Sequence, residues 1–208
     1  LFISIQNGHS DVVKLLVESP NIDANQAGRA DITPLNQAVI MDRSDLVRIL
    51  LSSSSLVLDL KSVYDSVLNS RVDILNLLFS DARIDVNQVI SYGLTALQLA
   101  ARDGLKDIVV SLLSFSRIDI NKSSEYGVTA LHIAAKNGHV EVVKLLLAFP
   151  GIDVNPLTQD GLTPLHLAIQ DVRTTVVPLL LAAPNIDVNR ISKNGLSPLQ
   201  MASRDGNV

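Results

Sequence analysis

Thr129-Ala130-Leu131-His132-Ile133-Ala134-Ala135-Lys136-Asn137-Gly138-His139-Val140-Glu141-Val142-Val143-Lys144-Leu145-Leu146-Leu147 reads as two short helices parted by a glycine. The Thr129 hydroxyl can cap the first, and Leu131, Ile133, Ala134 and Ala135 supply its apolar side. Gly138 tolerates the positive φ that ends a helix. Val140, Val142, Val143 and Leu145 to Leu147 give the second helix its apolar side. Glu141 and Lys144 lie three apart on its exposed side. Pro150-Gly151 stops it, and Ile152-Asp153-Val154-Asn155 follows. The spacer up to Thr163, with Gly161 near its end, reads as an extended finger.

The same arrangement recurs along the chain. Thr95-Ala96-Leu97, Thr129-Ala130-Leu131, Thr163-Pro164-Leu165 and Ser197-Pro198-Leu199 are spaced by 34 residues, with an earlier copy at Thr33-Pro34-Leu35. Asp-Val-Asn or a variant recurs in step, ending at Asn25, Asn87, Asn121, Asn155 and Asn189. A fixed period of this size means stacked units that bury a continuous core, and the usual use of such a stack is its long surface. Pro34, Pro164 and Pro198 fall at the first helical position, where the missing N–H costs nothing.

Helix, glycine turn, helix and finger, together with Thr163-Pro164-Leu165-His166-Leu167-Ala168, resemble the ankyrin repeat. The resemblance covers essentially the whole chain. It implies an all-α solenoid with short β-hairpin-like fingers. The period is 34 rather than the commoner 33, and the extra residue lies where Pro20, Pro150 and Pro184 sit. One array is expected over residues 1–208, with units 1–32, 33–60, 61–94, 95–128, 129–162, 163–196 and 197–208. Leu1 enters in mid-helix and Val208 falls where a second helix should start, so the array is read as a segment of a longer protein.

Three places break the pattern. In the third unit Val63-Tyr64-Asp65-Ser66-Val67 stands for Leu131-His132-Ile133-Ala134-Ala135, and Lys61 replaces the capping Thr. Leu51 to Val63 is 12 residues where Leu147 to Leu165 is 18, so the finger between units two and three should be missing or collapsed. Asp42 and Ser70 replace the turn glycine there. The sixth unit has Val172 at the glycine position and Pro178 inside its second helix. An interior proline costs about 3 kcal/mol, and less in the first turn.

Composition excludes several classes. A net charge of −4 with mixed signs gives no reason to expect nucleic acid or an anionic membrane. No apolar run approaches 18 residues, so membrane insertion is not expected. Cysteine is absent, which removes thiol and disulfide chemistry. Asn121-Lys122-Ser123 is formally a glycosylation sequon, but the same Asn recurs four times without one.

Every candidate for chemistry is set by repeat register. His132 and His166 share one position, and His9 and His139 another. The resemblance implies that the first pair hydrogen-bonds near the capping Thr and the second sits at the inter-helix turn. No paired His spacing supports a metal, and no nucleophile or phosphate-loop motif occurs. Asp23, Asp85, Asp119, Asp153 and Asp187 read as turn builders, and the recurrent Asn as a turn hydrogen bond. No catalytic residue, metal or cofactor is therefore expected.

The resemblance places partners on the fingertips and the exposed face of the first helices. That face carries Arg102-Asp103, Lys136-Asn137, Gln170-Asp171 and Arg204-Asp205, and earlier Gln6-Asn7, Ile40-Met41 and Leu68-Asn69. Ile40, Met41 and Leu68 either fill the gap of the missing finger or mark an apolar contact patch. Tyr92 and Tyr126 precede the finger glycines of adjacent units. Helical layers lie ~10 Å apart, so the two rings should be neighbours. Each either anchors a partner or packs on the next finger. Leu94, Val128, Leu162 and Leu196 add an apolar stripe. The expected contact centre is Tyr92, Leu94, Arg102, Asp103, Glu125, Tyr126, Val128, Lys136 and Asn137.

The reading is a monomeric, cytoplasmic, non-enzymatic scaffold for another protein. Its rivals are a regulatory or targeting segment of a larger enzyme or ubiquitin-ligase component, and a cytoplasmic segment of a membrane protein.

Overall fold

Capping decides where each first helix begins. In a computed structural model that describes residues 1–206, the side chain of Arg29 aside, Thr33, Thr95, Thr129, Thr163 and Ser197 are all N-caps. Each hydroxyl accepts a hydrogen bond from the backbone N–H three residues on. At Thr95, Thr129, Thr163 and Ser197 the third helical residue bonds back to the cap's own N–H, completing a capping box.

The chain divides into two units, Leu1–Tyr92 and Gly93–Val208. Unit one holds α1 (Phe2–Gln6), α2 (Ser10–Glu18), α3 (Pro34–Ile40), α4 (Ser44–Leu51), α5 (Leu60–Leu68), α6 (Val72–Ser80) and strand β1 (Val89–Ser91). Helices α1, α3 and α5 pack in series, as do α2, α4 and α6. Unit two holds strand β2 (Leu94–Thr95), α7 (Ala96–Asp103), α8 (Lys106–Leu113), α9 (Ala130–Asn137), α10 (Val140–Leu147), α11 (Pro164–Gln170), α12 (Val177–Leu181) and α13 (Pro198–Asp205). Here α7, α9, α11 and α13 form one row and α8, α10 and α12 the other.

The core lies between the rows. Leu131, Ala134, Ala135, Val143 and Leu146 are fully buried, as are their counterparts Leu97, Ala100, Ala101, Val109 and Leu112 or nearly so. Small alanines on the first helices let neighbouring axes approach, and the branched residues of the second helices fill the space behind them.

The short helix turns require a left-handed residue. Gly104 and Gly138 supply it at φ 69 and 77. Asp42, Ser70 and Val172 stand at the same register and hold φ 58, 54 and 54. The turn is thus kept where its glycine is lost, at a steric cost that is largest for β-branched Val172.

The third unit departs from the sequence reading in its cap, and the sixth keeps Pro178 inside its second helix. The third unit keeps a cap: Asp59 accepts from Ser62 N–H at 2.6 Å, so α5 starts at Leu60, ahead of Lys61. Between α4 and α5 only residues 52–59 remain, and the finger is absent. Pro178 falls in the first turn of its helix, where its missing N–H is tolerated; the cost appears as a late start and only five helical residues. Within the units, four fingers each have one backbone bond across their base, from the N–H of Gly28, Ser124, Thr158 and Ser192 to the carbonyl of Ile32, Val128, Leu162 and Leu196.

Candidate protein-binding surface

The fingertips of unit two are tied to one another. The Gln159 N–H donates to the Tyr126 carbonyl at 2.8 Å, and Gln159 Nε2 donates to the Glu125 carbonyl at 2.9 Å. The Lys193 N–H donates to Asp160 in the same way, at 2.9 Å. A Cβ at Gly127 would lie 2.5 Å from the Leu157 carbonyl oxygen, so glycine permits this approach. Tyr126 projects from the pinned tip, 58% exposed. The Glu125 carboxylate beside its hydroxyl raises the phenol above its ordinary value. Leu94 and Val128 are half-buried behind the tips. The Val128 carbonyl accepts from Gln98 Nε2 at 2.9 Å.

On the first-helix face Arg102 and Asp103 pair with each other, Nε to Oδ1 at 2.8 Å and Nη2 to Oδ2 at 2.9 Å. This pairing holds the Asp103 carboxyl below its usual range. The face therefore presents a bidentate ion pair rather than two separate charges. Lys136 is exposed. Asn137 serves the fold: its Nδ2 donates to the Arg102 carbonyl at 3.0 Å, beside His139 Nε2 at 2.9 Å.

Tyr92 lies in unit one, 80% exposed, in a left-handed turn with φ 50. The ring against it is that of Tyr64, edge-on at 6.5 Å. Tyr64 stands at the register of His132, and that substitution is the trace of this pair in the sequence. Also in unit one, Ile40 and Leu68 are 41% and 36% exposed, and Met41 is half-buried. At the short link that precedes α5, the Arg83 guanidinium donates to the Leu51, Ser53 and Leu56 carbonyls.

The register-bound polar residues are engaged in the fold. His132 Nε2 meets the Leu162 carbonyl at 3.0 Å, which can only accept, so that nitrogen carries the proton. Its Nδ1 then accepts from the Thr129 N–H at 3.2 Å. His166 repeats the arrangement with Thr163 and Leu196. Burial pushes both imidazoles below their ordinary value. Asp153 Oδ1 accepts from the Asn155 N–H at 2.9 Å, the expected turn.

The recurrent Asn does more than the sequence reading gave it. Asn121 Nδ2 donates to Gly151 at 2.8 Å and its Oδ1 accepts from the Asp153 N–H at 2.9 Å, one repeat further on. Asn155 clamps Asn185 and Asp187 likewise, and Asn25 clamps Ser55 and Val57.

Among the described residues no group of His, Cys, Asp and Glu is placed to hold a metal, and no helix is long and apolar enough to cross a membrane. Residues 64–158 match the family model for ankyrin repeats (3 copies), and residues 148–202 match that for ankyrin repeats (many copies). No curated protein matches the chain.

Proposed function

The chain belongs to the ankyrin-repeat family, and from that membership we propose that it is a non-catalytic, monomeric scaffold that binds another protein through the fingertips and first-helix face of unit two. Ankyrin repeats are generally protein–protein interaction modules. The observation that carries the reading is Tyr126, an exposed aromatic on a tip whose backbone is held by two bonds from Gln159. Tyrosine offers a large contact area and a polar handle, and a backbone already ordered loses little entropy on association. Leu94, Glu125, Val128, Lys136 and the Arg102–Asp103 pair surround it as mixed apolar and charged contacts, with Asn137 in support. Tyr92, in unit one, has its ring against Tyr64.

The test is affinity capture with the intact chain and with a Tyr126→Ala, Lys136→Glu variant of equal helicity. A protein retained by the first and lost by the second supports this surface. Undiminished retention by the variant rejects it.

A further inference from the structure

In unit two the third residue of a first helix reaches forward to the base of a finger. Gln98 of α7 accepts from the Thr95 N–H at 2.9 Å and donates from Nε2 to the Val128 carbonyl at 2.9 Å, at the base of the finger 124–128. His132 of α9 makes the same two bonds with its ring. Nδ1 accepts from the Thr129 N–H at 3.2 Å, and Nε2 donates to the Leu162 carbonyl at 3.0 Å, at the base of the finger 158–162. One latch is an amide, which does not titrate. The other is a fully buried imidazole.

The finger held by His132 is the one that ties down the Tyr126 tip. The Leu162 carbonyl also accepts from the Thr158 N–H at 3.0 Å. The next residue, Gln159, donates its N–H to the Tyr126 carbonyl and its Nε2 to the Glu125 carbonyl. The path from imidazole to tip thus runs through Leu162, Thr158 and Gln159.

A second proton has no place on this ring while the latch is closed. Nε2 already carries one, and Nδ1 faces the Thr129 N–H. Protonation would set N–H against N–H and leave the Thr129 donor without an acceptor in a buried site. Burial also pushes the imidazole below its ordinary value. The Asp153 carboxylate acts the other way and favours the proton. Of the helices packed against α9, α7 carries the Arg102–Asp103 pair, α10 carries the Glu141–Lys144 pair, and α11 carries His166 and no charge. His139, just before α10, bonds the Arg102 carbonyl, and α9 itself carries exposed Lys136.

We propose that His132 is an acid-released latch: its protonation frees the finger 158–162 and, through Gln159, the tip that carries Tyr126. The effect on partner binding rests on the surface proposed above, whereas the latch itself does not. In the closed finger the ring is neutral. Opening hands it to water, where it takes up a proton at about pH 6.5. The opening equilibrium therefore grows as pH falls below that value, by up to about tenfold at pH 5.5. The finger 124–128, held by Gln98, lacks this dependence.

The test is amide exchange of the intact chain, resolved by NMR and expressed as protection relative to the free-peptide rate, at pH 7.5 and at pH 5.5. Protection at Thr158 and Gln159 should fall by up to about tenfold. Ser124 and Gly127, whose N–H groups bond Val128 and Ser124 in the finger held by Gln98, should keep theirs. His132→Gln, which can make both bonds as Gln98 does, should abolish the fall. His166→Gln, one repeat further on, should retain it. The proposal is overturned if Thr158 and Gln159 keep their protection at pH 5.5, if both fingers lose it equally, or if His132→Gln responds as the parent does. The comparison of the two fingers needs no variant, so it decides even if His132→Gln folds poorly. With a partner in hand, acid that loosens the finger without weakening capture would stand for the latch and against Tyr126 as a contact.

Discussion

Arg83 donates from Nη1 to the carbonyl of Leu56 at 3.1 Å. The same guanidinium reaches Ser53 at 3.0 Å and Leu51 at 3.0 Å, while Asp81 holds its other edge at 2.7 and 2.9 Å. One planar cation thus satisfies two carbonyls of a link too short to form a finger, and that of Leu51 at the end of α4. Asp81 is correspondingly held below the usual carboxylate range by Arg83.

Arg83→Ala should leave those carbonyls to water and loosen the link. Bonds from a charged donor contribute about 1.5–3 kcal/mol each when buried, but this side chain is partly exposed, so a total loss of about 1–2 kcal/mol is expected. Native-state amide exchange should quicken at Leu56, whose N–H bonds Ser53, and at Val57, whose N–H bonds Asn25. Arg83→Lys should fail to restore protection, since an ammonium lacks the fork that spans three acceptors. Unchanged exchange in both variants would show that the link is held by its own turns.

Val172 carries a β-branched side chain at φ 54, where Gly138 stands one repeat earlier at φ 77. The left-handed conformation costs such a residue of order 1–2 kcal/mol. Val172→Gly should remove that strain against a smaller entropic loss in the unfolded chain, for a net gain of about 0.5–1 kcal/mol. The thermal midpoint should rise by roughly 1–4 °C. Asp42→Gly should gain less, because Asp tolerates this conformation better than Val. A fall in midpoint for Val172→Gly would mean that the contacts of its side chain outweigh the strain.

These cases mark what was legible in the sequence. Caps, prolines at the first helical position and glycine turns are local, and each is read from residues within one helix. The cap at Asp59 was missed because the register pointed to Lys61, and the chain found a carboxylate two residues earlier. The Arg83 contacts, the Tyr64–Tyr92 pair and the Asn clamps join residues 27 to 32 apart. Periodicity shows that such positions recur but not which atoms meet across the layer. The ring partner of Tyr92 comes from the degenerate third repeat, where Tyr64 replaces the register-bound His, and periodicity alone does not reveal that contact.

His132 and His166 make stability depend on pH. Both are neutral in the fold, with imidazoles depressed below the ordinary 6.5. The unfolded chain therefore binds more protons between the folded and unfolded values. Their stabilisation is fully present above about pH 6.5 and is lost as pH falls toward the folded values. Urea midpoints measured from pH 7.5 to 5 should decline. Gln98 fills the same capping role in α7 without titrating, so replacing both histidines by Gln should flatten the decline. A slope unchanged in the double variant would assign the effect to other groups.

The remaining prediction separates two surfaces. With a partner in hand, Tyr126→Ala should weaken binding by about 2 kcal/mol if the ring is an anchor. Folding should hardly change, because the ring is more than half exposed and its backbone bonds from Gln159 do not involve it. Gln159→Ala removes the bond to the Glu125 carbonyl and frees the tip. It should cost less, about 0.5–1.5 kcal/mol, through the ordering then required on binding. Arg102→Ala should act mainly by leaving Asp103 unpaired, so raising ionic strength should shrink its effect. Ile40→Ser with Leu68→Ser alters the exposed apolar residues of unit one and should leave affinity within about 0.5 kcal/mol of the parent. If that pair abolishes binding with helicity intact, while Tyr126→Ala does nothing, the contact lies on unit one and the proposed centre is displaced.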